Sequence, residues 1–246
     1  GVPCPLVGRK AGDIDMLIVR ENTEGEYSAV GGVMFGGTER EFVLQESVFT
    51  RLGSERLLNY AFELARTRSR KHVTVATKSN GIAISMPWWD GRADAVGRGY
   101  PEVTVDKQHI DILSARFVLQ PGRFDVVVAS NLFGDILSDL AAGLVGGLGV
   151  APSANIGAGR VAVFEPVHGS APDIAGKGIA NPVGAILSAA MLLEHSGRPD
   201  AANRLRQAVI ATLADGITTP DLGGTATTEL VTNAIIRHCS LSEHPG

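Results

Sequence analysis

The sequence FDVVVASNLFGDILSDL, residues 124–140, indicates the fold class more clearly than any other stretch of the chain. Its first part, Phe124–Ala129, is almost entirely apolar and rich in valine, which is typical of a strand buried on both faces. From Asn131 onward the apolar residues recur every three or four positions, as they do in an amphipathic helix. A buried strand that leads directly into a helix is the repeating unit of α/β proteins.

The alternation of strands and helices continues on both sides of this stretch. Apolar or alternating patterns predict strands over residues 15–20, 41–49, 73–77, 103–105 and 160–164. Helical periods predict helices over residues 50–69, through Trp88 and Trp89, over 107–119, from Asn181-Pro182, and near 199–214 and 225–238. Thr50 is a suitable N-cap, Pro182 suits the first position of a helix, and the glycine-rich residues 28–40 predict a loop or hairpin. This order of elements places the protein in the α/β class.

The chain divides into two predicted parts. Gly143–Gly149 is rich in glycine and ends the helix that begins at Asn131, so it is a natural domain junction. A chain of 246 residues is long enough for one large domain or two smaller ones. We therefore predict one part over residues 1–146 and a second over 147–246.

Composition and charge exclude several classes of protein. The formal charge is −4 and no long basic run is present, which argues against binding of nucleic acid. No apolar run is long enough for a transmembrane helix, so we expect no membrane association. Cys4 and Cys239 lie far apart without a CxxC motif, which favours reduced thiols and a cytoplasmic location.

Three carboxylates form a candidate metal site. Asp135 and Asp139 are four residues apart on a predicted helix, so they face the same way and repel each other unless a cation lies between them. With Asp111 from another helix they offer the oxygen ligands that Mg²⁺ or Mn²⁺ prefers. The alternative is that acids in the first turn of a helix only complement its dipole.

Three further side chains are candidates for substrate binding and proton transfer. Lys78 follows a buried strand, where partial desolvation lowers the pKa of an amine and makes it a usable base; the alternative is an ordinary surface lysine. Arg20 ends another strand and can bind a carboxylate through two hydrogen bonds, and Tyr27 can donate a proton. Alternatively, Arg20 pairs with Glu21 or Glu24 and Tyr27 is a packing residue.

The loop after the strand at 160–164 is a candidate cofactor site. Its sequence, EPVHGSAPDI over residues 165–174, can wrap an adenosine, because Gly169 permits close approach of the backbone. Asp173 can accept hydrogen bonds from ribose hydroxyls and would repel a 2′-phosphate, which favours NAD over NADP. The chain has no GxGxxG motif after a first strand, and an isolated His168 in a loop is more often structural than catalytic.

The segments that carry these candidates, taken together and in this order, resemble the isocitrate/isopropylmalate dehydrogenase family. They are VRENTEGEY at residues 19–27, TKSNG at 77–81, NLFGDILSD at 131–139 and EPVHGSAPDIAG at 165–176. The resemblance extends from the start of the chain to about Cys239. Within the family, residues 12–15, 37–41 and 151–156 are most similar to members that act on tartrate or D-malate.

The resemblance implies a metal site and a substrate clamp. Asp135 and Asp139 match the family's metal carboxylates, and Asp111 matches the carboxylate that the partner subunit contributes. Arg20 matches the arginine that binds a substrate carboxylate.

The resemblance also implies how protons and the cofactor are handled. Lys78, again from the partner subunit, matches the base that accepts the hydroxyl proton, and Tyr27 matches the acid that protonates the product after CO₂ leaves. The residues that match the NAD-contacting loop are Glu165, His168, Gly169, Ser170, Ala171, Asp173, Ile174 and Asn181.

For the whole protein the resemblance implies an isopropylmalate dehydrogenase-like two-domain fold. Residues 1–146 would form the smaller domain with the dimer interface and the metal and substrate site, and 147–246 the C-terminal half of the cofactor-binding large domain. The implied reaction is metal-dependent, NAD-linked oxidation and decarboxylation of a small 2-hydroxy dicarboxylic acid of the tartrate or D-malate type. The implied cofactors are NAD, Mg²⁺ or Mn²⁺ and a monovalent cation such as K⁺, in a homodimer whose subunits share their sites.

The family pattern also indicates what precedes this chain. Its first strands, a loop against nicotinamide and further substrate-binding residues lie before the segment seen here, and the chain begins with Gly1, so we expect an incomplete N-terminus. Those residues select the substrate, which leaves isopropylmalate or isocitrate dehydrogenase as alternatives. A non-catalytic regulatory subunit and an inactive fragment are further alternatives, although the presence of all six catalytic and metal candidates argues against a regulatory subunit.

Overall fold

The computed structural model describes residues 4–159 and 161–241, which fall into two compact units. One unit comprises Ile14–Leu140, and the other combines the residues before Ile14 with those after Leu140. Strands and helices alternate through most of the chain, and the predicted α/β class is confirmed. Among the described helices none is both long and apolar enough to cross a lipid bilayer.

The first unit is built on a four-stranded parallel sheet in the order β1-β6-β4-β5. Its elements are β1 (Leu17–Arg20), β2 (Gly25–Met34), β3 (Phe42–Val48), α1 (Arg51–Thr67), β4 (His72–Thr77), α2 (Ser85–Gly97), β5 (Thr104–His109), α3 (Ile110–Leu119), β6 (Val126–Ala129) and α4 (Asn131–Leu144). The last helix runs past the end of this unit.

The central strand β6 explains why the sheet forms. All four of its residues are buried, and Val126 pairs with Leu17 of β1 on one side and Val73 of β4 on the other. Helices cover the sheet with large apolar side chains that are fully buried, among them Phe62 and Trp89. Burying side chains of this size contributes roughly 2 to 3 kcal/mol each, which makes this core the main source of stability in the unit.

A β-hairpin extends the first unit. Strands β2 and β3 pair antiparallel, with Met34 opposite Phe42, and every residue of β3 is exposed. Thr50 then caps α1 as predicted, because its hydroxyl accepts a hydrogen bond from the backbone N–H of Gly53 at 3.0 Å.

The second unit contains a two-stranded antiparallel sheet and three helices. The elements are β7 (Pro152–Ile156), β8 (Ala162–Pro166), α5 (Val183–His195), α6 (Pro199–Ala214) and α7 (Thr228–Leu241). Its core is formed by apolar residues from all three helices and the turn before β7, including Val150, Val183, Val209, Leu213 and Ile235.

Three local predictions differ from the structure. The helix expected over 107–119 begins only at Ile110, because residues 107–109 continue β5 and pair with β4, with His109 opposite Thr77. Helix α5 begins at Val183, so Pro182 is the residue before it; the backbone of Pro182 is nevertheless helical, and its carbonyl oxygen accepts the N–H of Ile186 at 3.0 Å. Strand β7 was not predicted, and Arg160 of the expected strand 160–164 lies outside the described residues.

Candidate active site at the carboxyl edge of the sheet

The candidate residues of the first unit lie where the parallel strands end. Strand β1 ends at Arg20, Lys78 directly follows β4, and β6 is followed by Ser130 and the start of α4. Asp111 is the second residue of α3, directly after β5. Because neighbouring parallel strands end at the same edge of a sheet, the fold brings to one edge groups that are far apart in sequence.

Arg20 is held by two side chains of α4. Its Nε and Nη2 donate to Oδ1 of Asn131 at 3.1 and 2.9 Å, and its Nη1 donates to Oδ1 of Asp135. The other carboxylate oxygen of Asp135 accepts a hydrogen bond from the Tyr27 hydroxyl at 3.0 Å. The arginine, the phenol and the carboxylate therefore form one connected group, with 29% of the Arg20 side chain and 43% of the Asp135 side chain exposed.

Lys78 and Asp111 form a second pair at the same edge. Nζ of Lys78 lies 2.9 Å from Oδ1 of Asp111, and the exposed fractions of the two side chains are 29% and 65%. The backbone at Lys78 is fixed by a tight turn, because the N–H groups of Gly81 and Ile82 both donate to its carbonyl oxygen. The pair is thus anchored by its backbone and open to solvent at its charged ends.

Hydrogen bonding shifts the pKa values of two site residues in opposite directions. The bond to the Asp135 carboxylate raises the pKa of the Tyr27 phenol, so this group keeps its proton at neutral pH. The hydrogen bond from Lys78 lowers the pKa of the Asp111 carboxyl, so this group is ionised. At neutral pH the site therefore holds a neutral phenol at Tyr27 and an anionic carboxylate at Asp111.

The three predicted metal carboxylates are not gathered within one chain. Asp139 is exposed one turn beyond Asp135 on α4, whereas Asp111 contacts Lys78. In the described ranges 4–159 and 161–241, no three His, Cys, Asp or Glu side chains stand close enough together to hold a metal. Asp135 and Asp139 are two carboxylates on one helical face, and their oxygens are of the kind that a hard divalent cation prefers.

The predicted cofactor residues lie in the second unit: Glu165 is in β8, and the others follow this strand. Glu165, Gly169, Ser170 and Asp173 are exposed, and Ala171 has a positive φ of 43° that lets the chain turn back on itself. His168 and Ile174, in the same loop, are half-buried. This loop presents polar groups to solvent at the end of a strand.

Asn181, the last predicted cofactor residue, is bound within its own unit. Its side chain is only 9% exposed, its Nδ2 donates to Asp221 at 2.9 Å, and its Oδ1 accepts the N–H of Val183 at 3.0 Å. Two of its polar atoms are therefore already engaged in holding the start of α5, which distinguishes Asn181 from the exposed loop residues.

Two residues of the site were not singled out in the sequence. Asn131 binds Arg20, and the Glu26 carboxylate accepts hydrogen bonds from the Ser130 hydroxyl at 2.6 Å and the Leu132 N–H at 3.1 Å. Glu26 thereby fixes the first turn of α4 to strand β2. The spacing of Asn131 and Asp135, four residues apart on the helix that follows the central strand, is the signal that marks them as neighbours.

A parallel sheet whose carboxyl edge carries an arginine, a lysine, a phenol and carboxylates defines an α/β protein with a ligand site at that edge. The sequence profile of the isocitrate/isopropylmalate dehydrogenase family matches residues 2–237, and the chain belongs to this family. The family resemblance and the assignment to the oxidoreductases are confirmed. Members of the family generally use NAD and a divalent metal.

Individual members of the family are similar to this chain over nearly its whole length. It is 60% identical over 243 residues to tartrate dehydrogenase/decarboxylase of Pseudomonas putida and 59% identical over 244 residues to D-malate dehydrogenase [decarboxylating] of Escherichia coli K12. Each alignment covers 96% of this chain, and 67% and 68% of the relative. The crystal structure of isocitrate dehydrogenase from Methylococcus capsulatus superposes with a TM-score of 0.87 at 45% identity, over 92% of this chain and 67% of that one. The chain thus spans about two thirds of the length of these relatives.

Proposed function

We propose that the protein catalyses the metal-dependent, NAD-linked oxidation and decarboxylation of a small 2-hydroxy dicarboxylic acid of the tartrate or D-malate type. The observation that carries the proposal is the connected group of Arg20, Tyr27 and Asp135, in which a carboxylate clamp, a proton donor and a metal carboxylate adjoin each other. High identity to a tartrate dehydrogenase/decarboxylase and to a D-malate dehydrogenase supports the choice of substrate class.

Arg20 is the proposed clamp for a substrate carboxylate. A guanidinium carries five N–H donors in a planar fork that matches a carboxylate. Three of these donors are engaged by Asn131 and Asp135, and 29% of the side chain is exposed. The two remaining donors are sufficient to bind the two oxygens of a carboxylate.

Lys78 and Tyr27 are the proposed proton-transfer residues. With Asp111 bound to the cation, Lys78 would act as a neutral amine, and its Nζ would accept the hydroxyl proton as the hydride leaves the substrate carbon. After the C–C bond to the departing CO₂ breaks, its electron pair remains on the substrate carbon, and the Tyr27 hydroxyl supplies the proton there. The Tyr27 hydroxyl lies 3.0 Å from Asp135, so this proton donor would stand beside the proposed metal carboxylate.

Asp135 and Asp139, with Asp111 of the partner subunit, are the proposed ligands of Mg²⁺ or Mn²⁺. When bound, the cation would supply positive charge beside the substrate oxygens, and NAD would accept the hydride. The loop residues Glu165–Ile174 and Asn181 are proposed to hold the adenosine part of NAD, with Asp173 at the ribose. A monovalent cation such as K⁺ stays a prediction.

A second copy of the chain is the proposed partner. Strand β3 is exposed throughout, with exposed fractions of 67% for Val43 and 51% for Leu44, and an isolated two-stranded hairpin is marginally stable in water. A symmetric dimer would bury this apolar hairpin and would let Lys78 and Asp111 serve the neighbouring site. On this proposal residues 1–146 form the dimer-making part and 147–246 the cofactor-binding part. A cytoplasmic location stays a prediction, and Cys4 and Cys239 form no disulfide.

The dimer proposal is tested by a pair of neighbouring glycines in β2. Gly31 has a φ of 146°, and a methyl group there would overlap the carbonyl oxygen of Leu44, whereas a methyl group at Gly32 would meet nothing within 4 Å. We expect Gly31→Ala to open the hairpin and to lower the average molar mass measured by light scattering from that of a dimer towards that of a monomer. Gly32→Ala is expected to leave the molar mass unchanged. A dimer that persists in a folded Gly31→Ala protein would place the interface elsewhere.

The reaction is tested by NADH formation with Mn²⁺, NAD and a panel of D-malate, L-tartrate, isopropylmalate and isocitrate. The assay should use this chain and the same chain joined to the N-terminal third of the Escherichia coli D-malate dehydrogenase. We expect D-malate or tartrate to be the preferred substrate. Turnover of only isopropylmalate or isocitrate would reassign the substrate, and Mn²⁺ binding without turnover of any substrate would indicate a non-catalytic subunit.

Shared sites are tested by mixing two inactive variants, Lys78→Met and Tyr27→Phe. In a mixed dimer one of the two sites receives an intact lysine and an intact tyrosine, so mixing is expected to restore about a quarter of the wild-type rate. Complete inactivity of the mixture, with subunit exchange verified by mass spectrometry, would show that each chain uses its own Lys78.

A further inference from the structure

Three residues on one face of helix α4 contact Arg20. Asn131, Gly134 and Asp135 stand at i, i+3 and i+4, which places them on the same side of the helix. Asn131 and Asp135 bind the guanidinium, and Gly134 lies against the beginning of the Arg20 side chain. The helix thus contacts the arginine along its whole length.

The amide of Asn131 has a defined orientation. Its side chain is 4% exposed, its Nδ2 donates to the carbonyl oxygen of Glu24 at 3.0 Å, and its Oδ1 therefore faces Arg20 and accepts from Nε and Nη2. A buried amide with both ends satisfied holds its partners in one geometry, because any rotation would leave a buried polar group unpaired.

Gly134 provides the space that Arg20 occupies. A methyl group at position 134 would lie 2.6 Å from Cβ and Cγ of Arg20 and 3.1 Å from its Cα. These atoms belong to the base of the side chain, which cannot move aside without displacing strand β1. Any residue larger than glycine would therefore shift the arginine.

We propose that Asn131 and Gly134 form a seat that sets the position of the Arg20 guanidinium, with Asn131 acting as a positioning residue. The seat itself is anchored, since the Glu26 carboxylate holds the first turn of α4 through Ser130 and Leu132. The seat leaves two guanidinium donors available in a fixed direction. Its importance for substrate selection rests on the proposed function, whereas its effect on Arg20 does not.

Hydrogen exchange of the Arg20 Nε–H, measured by NMR on the full chain, reports on the seat directly. We expect slow exchange in the wild-type protein and an acceleration of about tenfold or more in Asn131→Leu, which removes the acceptor but keeps the volume. Asn131→Asp keeps an oxygen acceptor for Arg20, although it loses the donor to the Glu24 carbonyl oxygen, and it is expected to retain slow exchange of the Arg20 Nε–H. Gly134→Ala is expected to accelerate exchange. Gly143→Ala, on the same helix, is the matched control, because a methyl group at this position meets nothing within 4 Å.

Binding of D-malate in the presence of Mn²⁺, measured by calorimetry on the same variants, separates this inference from the proposed function. Faster exchange and at least about tenfold weaker binding in Asn131→Leu and Gly134→Ala, with Gly143→Ala near wild type, would support both. The same exchange pattern without D-malate binding to the wild-type protein would support the seat and contradict the function. Unchanged exchange in folded Asn131→Leu and Gly134→Ala proteins would overturn the seat.

Discussion

The two edges of the parallel sheet both carry arginine–aspartate pairs, but they differ in how completely those pairs are enclosed. At the amino edge, Asp125 precedes β6 and is 1% exposed, and it is contacted by Arg68 and Arg70, which precede β4. At the carboxyl edge, Arg20 and Asp135 contact each other while 29% and 43% of their side chains remain exposed. The carboxylate is buried at the amino edge and accessible at the carboxyl edge, whereas the arginines are partly exposed at both edges.

The enclosed cluster has its hydrogen-bonding capacity filled from within the protein. Asp125 accepts from the Arg68 Nε and from the backbone N–H of His72 at 3.2 Å, and both arginines also donate to the carbonyl oxygen of Asp15. Such a cluster joins the starts of β1, β4 and β6. The open edge, in contrast, retains donors and carboxylate oxygens that a ligand can use, so the comparison separates charges that stabilise the fold from charges that serve a site.

The largest expected difference between the edges is in stability. Asp125→Asn and Asp135→Asn make the same chemical change at opposite edges. We expect Asp125→Asn to lower the free energy of unfolding by about 3 kcal/mol, because it removes the buried negative charge that pairs with Arg68 and Arg70, and Asp135→Asn to change it by less than about 1 kcal/mol. Urea unfolding followed by circular dichroism gives both values, and equal losses would contradict the distinction between the edges.

A smaller loss of stability is expected when Glu26 is replaced. Its carboxylate lies at the carboxyl edge and contacts the start of α4. Ser130 and Leu132 donate to different oxygens of Glu26, so Glu26→Gln keeps an acceptor for only one of them and also removes the negative charge beside the start of the helix. We expect a loss of about 1 kcal/mol in the same unfolding assay. Glu46→Gln, on the exposed strand β3, is the matched control, and a Glu26→Gln protein as stable as this control would show that the contact contributes nothing.

The smallest effect on stability is expected from Lys78. Its pair with Asp111 is open to solvent, and exposed ion pairs contribute little to folding. Lys78→Met should therefore leave the urea midpoint unchanged while abolishing NADH formation. A clear fall in the urea midpoint would show that Lys78 stabilises the fold, and it would weaken the assignment of Lys78 as a base.

Local patterns predicted the elements well where the signal lies within a few residues. Thr50 caps α1 as expected, and the valine-rich stretch at 126–129 is the buried centre of the sheet. The helix at α3 was placed too early, because pairing with β4 keeps residues 107–109 in a strand although their own pattern does not require it. Pairing between distant strands is a tertiary effect that no local window contains.

The candidate site was foreseeable only in part for the same reason. The residue types and the end-of-strand positions of Arg20 and Lys78 could be read from the sequence, but the contact of Arg20 with Asp135 joins positions 115 residues apart. The contact of Asn131 with Arg20 is likewise long-range, and an asparagine before an apolar run is locally indistinguishable from an ordinary helix N-cap. The contacts of Asn181 with Asp221 and Val183 could not be inferred either, because Asp221 lies forty positions away on another segment.

The strand order has a consequence for how the protein folds. Leu17 of β1 pairs with Val126 of the central strand, although all of β4 and β5 lies between them in sequence. Closing so long a loop is entropically costly, so we expect β4 and β5 to pair first and β1 to dock in a late and slow step. Arg20, as the last residue of β1, reaches Asn131 and Asp135 only in that step. A folding intermediate would therefore have a nearly complete sheet and no carboxylate clamp, which would keep a partly folded chain from capturing substrate.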